Sequence, residues 1–534
     1  MKAPLFLSLL LVASLSVNAQ DNKQTVDNSS YILTPAAPET PRINGPRVYG
    51  ARKGADFLFK IPATGVRPMT FSAEGLPSGL KLDPRSGIIS GKARRDGEYE
   101  VTVSASNNLG KDSRILRIVI GDKIALTPPM GWNSWNCWGN SVSQEKVMSS
   151  AKALIDCGLD QYGWSYINID DGWQGLRGGK YNAIQPNSKF PDMKSLADYL
   201  HSNGLKLGIY SGPWVATYAG HIGSGCENEE GEYWWVKKNM VDSVYKLDRS
   251  LLKRDSLWYF GNVSFAKSDA RQWADWGVDY LKYDWNPNDV HYLKDMYEAL
   301  SDTGRDIVYS ISNSAPVALA PYLVKYAQCW RTTGDIRDNW ENFSKIGFHG
   351  QDRWAAYKRP GNWPDADMLV VGKVGWGPKT HWVKMTPDEQ YTHISLWAIL
   401  ASPLLIGCDL AAMDEFTVSL LCNNEVIDVN QDPLGYQASR VYGDDTYATY
   451  LKPLEDGSVA IAMFNLTESP VKIGFVPKSL GLMGNQKIRD IWRQKDLGSI
   501  GFRERWETEV APHGVCFVRV SPGVKDMKLQ GYWR

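Results

Sequence analysis

Three short runs in this chain each end on acidic side chains. The run Gly277-Val278-Asp279-Tyr280-Leu281-Lys282-Tyr283-Asp284-Trp285 reads as a buried strand that delivers Lys282 and Asp284 to its end. Tyr166-Ile167-Asn168-Ile169-Asp170-Asp171-Gly172-Trp173 does the same with two adjacent carboxylates, and Cys329-Trp330-Arg331-Thr332-Thr333-Gly334-Asp335 closes with an arginine and an aspartate. In a (β/α)8 barrel the C-terminal strand ends form one face, so residues far apart in sequence converge there. Four carboxylates, a lysine and an arginine at one mouth, among many tryptophans, describe a sugar-cleaving site. The chain has 22 tryptophans. Their amphipathic rings suit sugar faces and large cores equally well.

The elements needed to position these residues can be traced. From residue 122 to 433 strands alternate with amphipathic helices, the βα repeat of a parallel barrel. Eight strands are expected: Met130 to Trp132, Tyr166 to Asp170, Leu205 to Tyr210, Tyr280 to Asp284, Ile307 to Ser312, Gln328 to Arg331, Asp367 to Val371, and Pro403 to Cys408. Helices such as Ser143 to Cys157 and Met193 to Asn203 fit between them. The third connection, roughly Ser211 to Ala266, is long and carries Trp214, Tyr218, Trp234 and Trp235 beside Glu227, Glu229 and Glu230. Loops of that length are usually functional, although the glutamates read as a solvated surface.

Flanking regions differ in pattern. Over 41–121, short alternating runs divided by Gly and Pro turns indicate an antiparallel β-sandwich. Residues 434–534 return to β-alternation, as in Tyr447 to Leu451 and Val459 to Phe464, and form a C-terminal antiparallel β-sandwich domain. Residues 20–40 are polar and read as a linker. Residues 1–19 have a positive start, an apolar run and a small-residue end at Val17-Asn18-Ala19, the layout of a secretory signal. That predicts export to the periplasm or medium, with no membrane insertion. Across 534 residues, 59 basic and 59 acidic side chains give a net charge of +0, which excludes whole-chain attraction to nucleic acid or an anionic membrane. Seven scattered cysteines contain no Cys-x-x-Cys pair, so neither a disulfide framework nor a zinc site is indicated.

Several motifs carry a specific resemblance. Thr127-Pro128-Pro129-Met130-Gly131-Trp132-Asn133-Ser134-Trp135, Ile169-Asp170-Asp171-Gly172-Trp173, Leu205 to Tyr210, Asp279 to Asp284, Arg331-Thr332-Thr333-Gly334-Asp335-Ile336, Asp365-Ala366-Asp367-Met368 and Asn430-Gln431-Asp432-Pro433 occur in this order. Together they resemble the melibiase group, the family 27 glycoside hydrolases. Gly75 to Asp83 followed by Gly87-Ile88-Ile89-Ser90-Gly91 is similar to the immunoglobulin-like modules attached to bacterial glycosidases. The resemblance implies a barrel followed by an antiparallel β-domain, and activity as a retaining α-galactosidase on terminal α-linked galactose, with neither metal nor organic cofactor.

It further implies that Asp284 is the nucleophile and Asp335 the acid/base. A retaining glycosidase places two such carboxyls about 5 Å apart. Asp335 would then need a raised pKa to hold its proton. Asp170 and Asp171 would grip the 4- and 6-hydroxyls, Lys282 would keep nearby aspartates ionised, and Trp135 and Tyr210 would wall the pocket. Arg331 would face the 2-substituent, with Asp367 orienting either Arg331 or the sugar. Where α-galactosidases typically carry a glutamate and larger residues facing the 2-hydroxyl, this chain reads Ser312-Asn313-Ser314-Ala315-Pro316. Small side chains at Ser312 and Ala315 are similar to the N-acetylgalactosaminidase arrangement, which makes that activity the first rival. β-L-Arabinopyranosidase and isomaltose-releasing activities follow, and a catalytically silent glycan-binding protein is the alternative outside the enzymes.

Overall fold

The barrel helices start where short polar side chains cap them. Ser143 accepts from the Lys146 N–H, Asp192 from Ser195, Asp289 from Tyr292 and Asn339 from Asn342. Such caps satisfy backbone donors that a helix start leaves unpaired. The computed structural model describes residues 27–236 and 256–523. The export signal expected over residues 1–19 lies outside the described residues.

Eight parallel strands form one sheet: β1 (Met130–Asn133), β2 (Tyr166–Asn168), β3 (Lys206–Ser211), β4 (Val278–Asp284), β5 (Val308–Ser312), β6 (Cys329–Arg331), β7 (Trp363–Asp365) and β8 (Leu404–Ile406). Their order is β7-β6-β5-β4-β3-β2-β1-β8, so each strand but the last lies beside its sequence neighbours. The barrel closes beyond the end of β7. There the Leu369 N–H donates to the Leu405 carbonyl at 2.8 Å, and the Gly407 N–H donates to the Leu369 carbonyl at 2.9 Å.

The seventh strand corrects the sequence reading. It is Trp363–Asp365, not Asp367 to Val371. Trp363 and Asp365 make the hydrogen bonds to β6 and its continuation, through Gln328 and Thr332. Pro364, which has no N–H, therefore faces the seam toward β8, a position that tolerates proline. The chain then turns at Asp367, with φ 87°, before Leu369 reaches β8. The buried run Met368 to Val371 lines that closure.

The sandwich at 41–121 consists of a four-stranded sheet packed on a three-stranded one around Phe57, Phe59, Phe71, Val101 and Ile118. It meets the barrel floor, where the strands begin. Lys206, at the start of β3, donates to the Tyr49 hydroxyl at 2.6 Å, and that hydroxyl donates to the Leu58 carbonyl. Lys60 pairs with Asp160 at 2.7 Å and Arg52 with Asp306 at 2.6 Å. Residues 27–40 also run against the barrel: the Leu33 N–H donates to the Tyr391 hydroxyl, which donates to the Tyr31 carbonyl, and Thr34 donates to the Ser419 carbonyl.

The C-terminal domain has a six-stranded and a two-stranded antiparallel sheet. It covers the helix Pro387–Ile399, whose residues from Glu389 onward are all buried. A helix buried on every side must be packed between two layers. Here they are the barrel and this domain: Thr392 donates to the His513 carbonyl at 2.6 Å, and the Trp492 indole donates to Ser395 at 2.8 Å. All seven cysteines are free thiols, with Cys329 and Cys408 buried.

The floor contacts make the sandwich structural for the barrel. In Tyr49→Phe the Lys206 ammonium, 7% exposed, loses its hydroxyl partner. Unfolding should then cost about 1–3 kcal/mol less, while turnover changes little. Thermal and urea denaturation beside kinetics check this. A midpoint equal to wild type would mean that the floor does not depend on the sandwich.

Candidate active site

β1 to β4, β6 and β7 each send polar side chains to the same end of the barrel. There a pocket with about 610 Å³ of empty space is lined by Trp135, Asp170, Asp171, Tyr210, Lys282, Asp284, Arg331, Asp335 and Asp367. Nine of the eleven site residues expected from the sequence therefore converge, as their positions at the strand ends required.

Asp170 is fully engaged. Its Oδ2 accepts from Lys282 Nζ at 2.8 Å and from Asn133 Nδ2 at 2.9 Å, and its Oδ1 accepts the Asp171 N–H at 2.9 Å. Asp171 accepts from the Thr217 hydroxyl at 2.9 Å and the Ala219 N–H at 2.8 Å, both in the third connection. Burial nevertheless pushes its carboxyl up to about 7, the two donors opposing. Burial also opposes the charge on Lys282, but Asp170 and then Asp284 outweigh it and hold the ammonium above its ordinary pKa.

Asp284, at the end of β4, accepts from the Tyr210 hydroxyl through Oδ2 at 3.0 Å. Its Oδ1 is buried and has no hydrogen-bond partner among the described residues. Burial raises the Asp284 carboxyl to about 6; Lys282 opposes the shift, while Asp335 and Asp170 add to it. Unlike Asp284, Asp335 is open, with 56% of its side chain exposed, and Arg331 Nη2 donates to its Oδ1 at 3.2 Å. Burial disfavours its anion, yet Arg331 and then Lys282 outweigh that and hold the carboxyl below its ordinary value. The raised value expected for Asp335 is thus not found, because the arginine expected to face the 2-substituent lies against it.

Arg331 also pairs with Asp367 at 2.7 Å, as expected for an orienting carboxylate. Asp367 is held in its left-handed conformation by four bonds. Its N–H donates to Asp365 at 2.8 Å, its Oδ1 accepts the Met368 N–H at 2.8 Å, its Oδ2 accepts the Ile336 N–H at 2.8 Å, and its carbonyl accepts from the Trp397 indole at 2.7 Å. A non-glycine residue in that region is strained and persists only where its surroundings over-determine it.

Ser312 and Ala315 do not line the pocket. Both are buried, Ser312 as the last residue of β5, where its carbonyl accepts from the Trp285 N–H, and Ala315 in the loop beyond, where its N–H donates to the Arg331 carbonyl. Asn313 lines the pocket in their place. The strand ends at Ser312, so side-chain alternation no longer decides which residue points inward. Sequence reasoning also missed Asn136, Tyr218, Ile336, Met368 and Trp376. Four of these could have been found: Asn136, Ile336 and Met368 adjoin expected residues, and Tyr218 belongs to the aromatic set of the third connection. No signal marked Trp376.

Residues 127–254 and 251–432 match Melibiase_2, the family model described as alpha galactosidase A. The chain belongs to the melibiase family. It is therefore a glycoside hydrolase, and two further matches complete its layout. Residues 444–520 match Melibiase_C, the alpha galactosidase C-terminal beta sandwich domain, and residues 40–121 match He_PIG, a candidate Ig domain. Alpha-galactosidase 2 of Arabidopsis thaliana is 34% identical over 405 residues, 74% of this chain and 90% of that protein. A candidate alpha-galactosidase/melibiase from Bacteroides fragilis shares the fold with TM-score 0.78 and 35% identity, over 91% of this chain and 98% of its own. A GH27 β-L-arabinopyranosidase from Geobacillus stearothermophilus, solved with arabinose, follows at TM-score 0.63 and 31% identity, over 75% and 98% of the two chains.

The Tyr210 hydroxyl is the direct hydrogen-bond donor to Asp284, and a donor to the charged form favours that form. Tyr210→Phe should therefore raise the Asp284 pKa beyond about 6 and, because Asp284 carries the upper of the pair's two values, move the alkaline limb of the pH–rate profile upward. A profile unchanged in position would show that this bond does not tune the carboxylate.

Proposed function

We propose that the chain is a retaining α-galactosidase that cleaves terminal α-linked galactose by double displacement. One observation carries the assignment of roles: Asp284 Oδ1 is buried in the pocket with no hydrogen-bond partner among the described residues, while its other oxygen is held by Tyr210. An oxygen kept free of donors retains its nucleophilicity. In the first step Asp284 Oδ1 bonds to the anomeric carbon, the glycosidic bond breaks, and the departing oxygen takes the proton of Asp335. In the second, Asp335 takes a proton from water, whose oxygen attacks the same carbon and displaces Asp284. Two inversions return the original anomeric configuration.

Asp170 and Asp171, bound to Lys282 and to the third connection, are suited to an axial 4-hydroxyl and the 6-hydroxyl. The match to curated α-galactosidases over about three-quarters of the chain supports galactose. The N-acetylgalactosamine reading rested on Ser312 and Ala315, neither of which lines the pocket, whereas the larger Asn313 does. The apolar run and small-residue end of residues 1–19 support export, placing the substrate among oligo- or polysaccharides outside the cytoplasm.

A panel of nitrophenyl glycosides tests the substrate. The α-galactoside should be turned over most efficiently, and Asp284→Ala should abolish turnover while the fold survives. Proton NMR should show product of retained configuration in the first minutes. Inverted product would remove Asp284 and Asp335 from these roles, and a tenfold preference for the α-N-acetylgalactosaminide or the β-L-arabinopyranoside would replace galactose.

Electrostatics set the pH dependence. The productive form carries one proton shared between Asp284 and Asp335, and that proton is lost as pH rises through the pair's upper value, about 6 on Asp284. Efficiency should therefore fall above about pH 6 and fall again in acid, when both are protonated. In Asp335→Ala, Asp284 loses a neighbouring negative charge and its pKa drops. On a nitrophenyl glycoside, which needs little protonation, the alkaline limb should vanish, leaving a single limb below about pH 6 that is set by Asp284 alone. On disaccharides the variant should be nearly inactive. Equal losses on both substrate types would exclude Asp335 as the acid.

A further inference from the structure

Trp376 lies in the loop of a short hairpin that pairs Lys373–Val374 with His381–Trp382, after the seventh strand. Its φ is 51°, a conformation rare for a bulky side chain. The Gly375 and Trp376 N–H groups both donate to the Asn136 carbonyl, at 2.8 and 3.0 Å, which clamps the hairpin to the turn that carries Trp135. Gly139 lets the clamp close, since a Cβ there would lie 2.6 Å from the Trp376 carbonyl. Only part of the indole packs against the core, and the ring stays half-exposed on the pocket wall. Neither regular structure nor core packing calls for a tryptophan in this backbone conformation. A strained residue on a pocket wall points to use of its side chain.

Its neighbours say which side of the pocket it serves. The Arg337 guanidinium lies 5.5 Å from the Trp376 ring centroid, and Arg337 follows Asp335 by two residues. Ile336, between them, and Met368 add apolar surface to a pocket whose lining otherwise includes the polar Asp170, Asp171, Tyr210 and Lys282. The acid of a glycosidase stands beside the oxygen that departs, so the wall near Asp335 faces the leaving group. We infer that Trp376 forms a leaving-group subsite, an indole platform against which the released pyranose ring of an oligosaccharide stacks. This rests on the roles proposed above for Asp284 and Asp335. The apolar face of a hexopyranose matches the indole, and the open rim leaves its hydroxyls in water.

The test compares a substrate whose leaving group is a sugar with one whose leaving group has no ring. Efficiency is measured on α-galactosyl-(1→6)-glucose and on α-galactosyl fluoride, with full-length wild type, Trp376→Ala and Trp376→Phe. The ratio of disaccharide to fluoride efficiency should fall about tenfold in the alanine variant and less in the phenylalanine variant. A ratio unchanged from wild type, whatever the absolute rates, would assign Trp376 a structural role and overturn the inference. Wild type inactive on both substrates would instead refute the galactose reading alone. The same ratio would then be read with the fluoride and disaccharide of the sugar that the panel identifies.

Discussion

The mouth of the barrel holds more negative charge than its cations can neutralise. Asp170, Asp171, Asp284, Asp335 and Asp367 line one pocket with only Lys282 and Arg331. A buried carboxylate is tolerable only when it is paired or hydrogen-bonded, so the loops around the pocket are arranged to supply donors. The third connection is pinned where Thr217 and Ala219 reach Asp171. The segment after β6 is pinned where the Ile336 N–H reaches Asp367. Asp170 takes Lys282 and Asn133, and Asp367 takes Arg331. Asp284 is the least satisfied, with Tyr210 on one oxygen and no partner on the other among the described residues. Burial, with the negative charge of Asp335 and Asp170 added to it, also raises the pKa of Asp284.

Much of the fold was legible because it rests on periodicity. Seven of the eight barrel strands overlap the runs read from alternating and apolar patterns, and the helix starts follow their capping residues. The seventh strand escaped for a physical reason. A proline argues against a central strand, yet Pro364 faces the one seam where no donor is required. The apolar run from Met368 to Val371 looked like the strand, but the bend at Asp367 exists to bring a carboxylate to Arg331. Composition likewise suggested a free linker over residues 20–40. The hydrogen bonds from Leu33 and Thr34 to distant barrel helices have no local signature.

The site was legible at strand ends and illegible in the loops beyond them. Strand geometry determines where Asp284 and Lys282 point, so their types and spacing were enough. One residue past the end of β5 that rule lapses, and Asn313 rather than Ser312 or Ala315 faces the pocket. Trp376 belongs to a hairpin whose placement depends on a carbonyl at Asn136, more than two hundred residues earlier. Protonation was hidden too. The proposed acid role would need a protonated Asp335, but its lowered value follows from Arg331 beside it, which outweighs burial. A bound sugar would exclude water and place an oxygen beside the carboxyl, and both effects favour the neutral acid.

The flanking domains explain how a mouth so rich in loops stays in register. The sandwich engages the floor through Tyr49 and Lys206, far from the chemistry. The C-terminal domain acts more directly. Its His513 carbonyl and Trp492 indole hold Thr392 and Ser395 on the buried helix Pro387–Ile399. Trp397 of that helix donates to the Asp367 carbonyl, Asp367 pairs with Arg331, and Arg331 donates to Asp335. Each link is a direct hydrogen bond or ion pair on a packed element, and precise sites require such support behind the groups that touch substrate. The strained turn at Asp367 is stable because the helix under the C-terminal domain is immobilised on both faces. A barrel without that domain would expose the helix, release the Asp367 carbonyl and leave Arg331 free to settle elsewhere. The C-terminal domain thus supports the pocket from behind, although none of its described residues lines it.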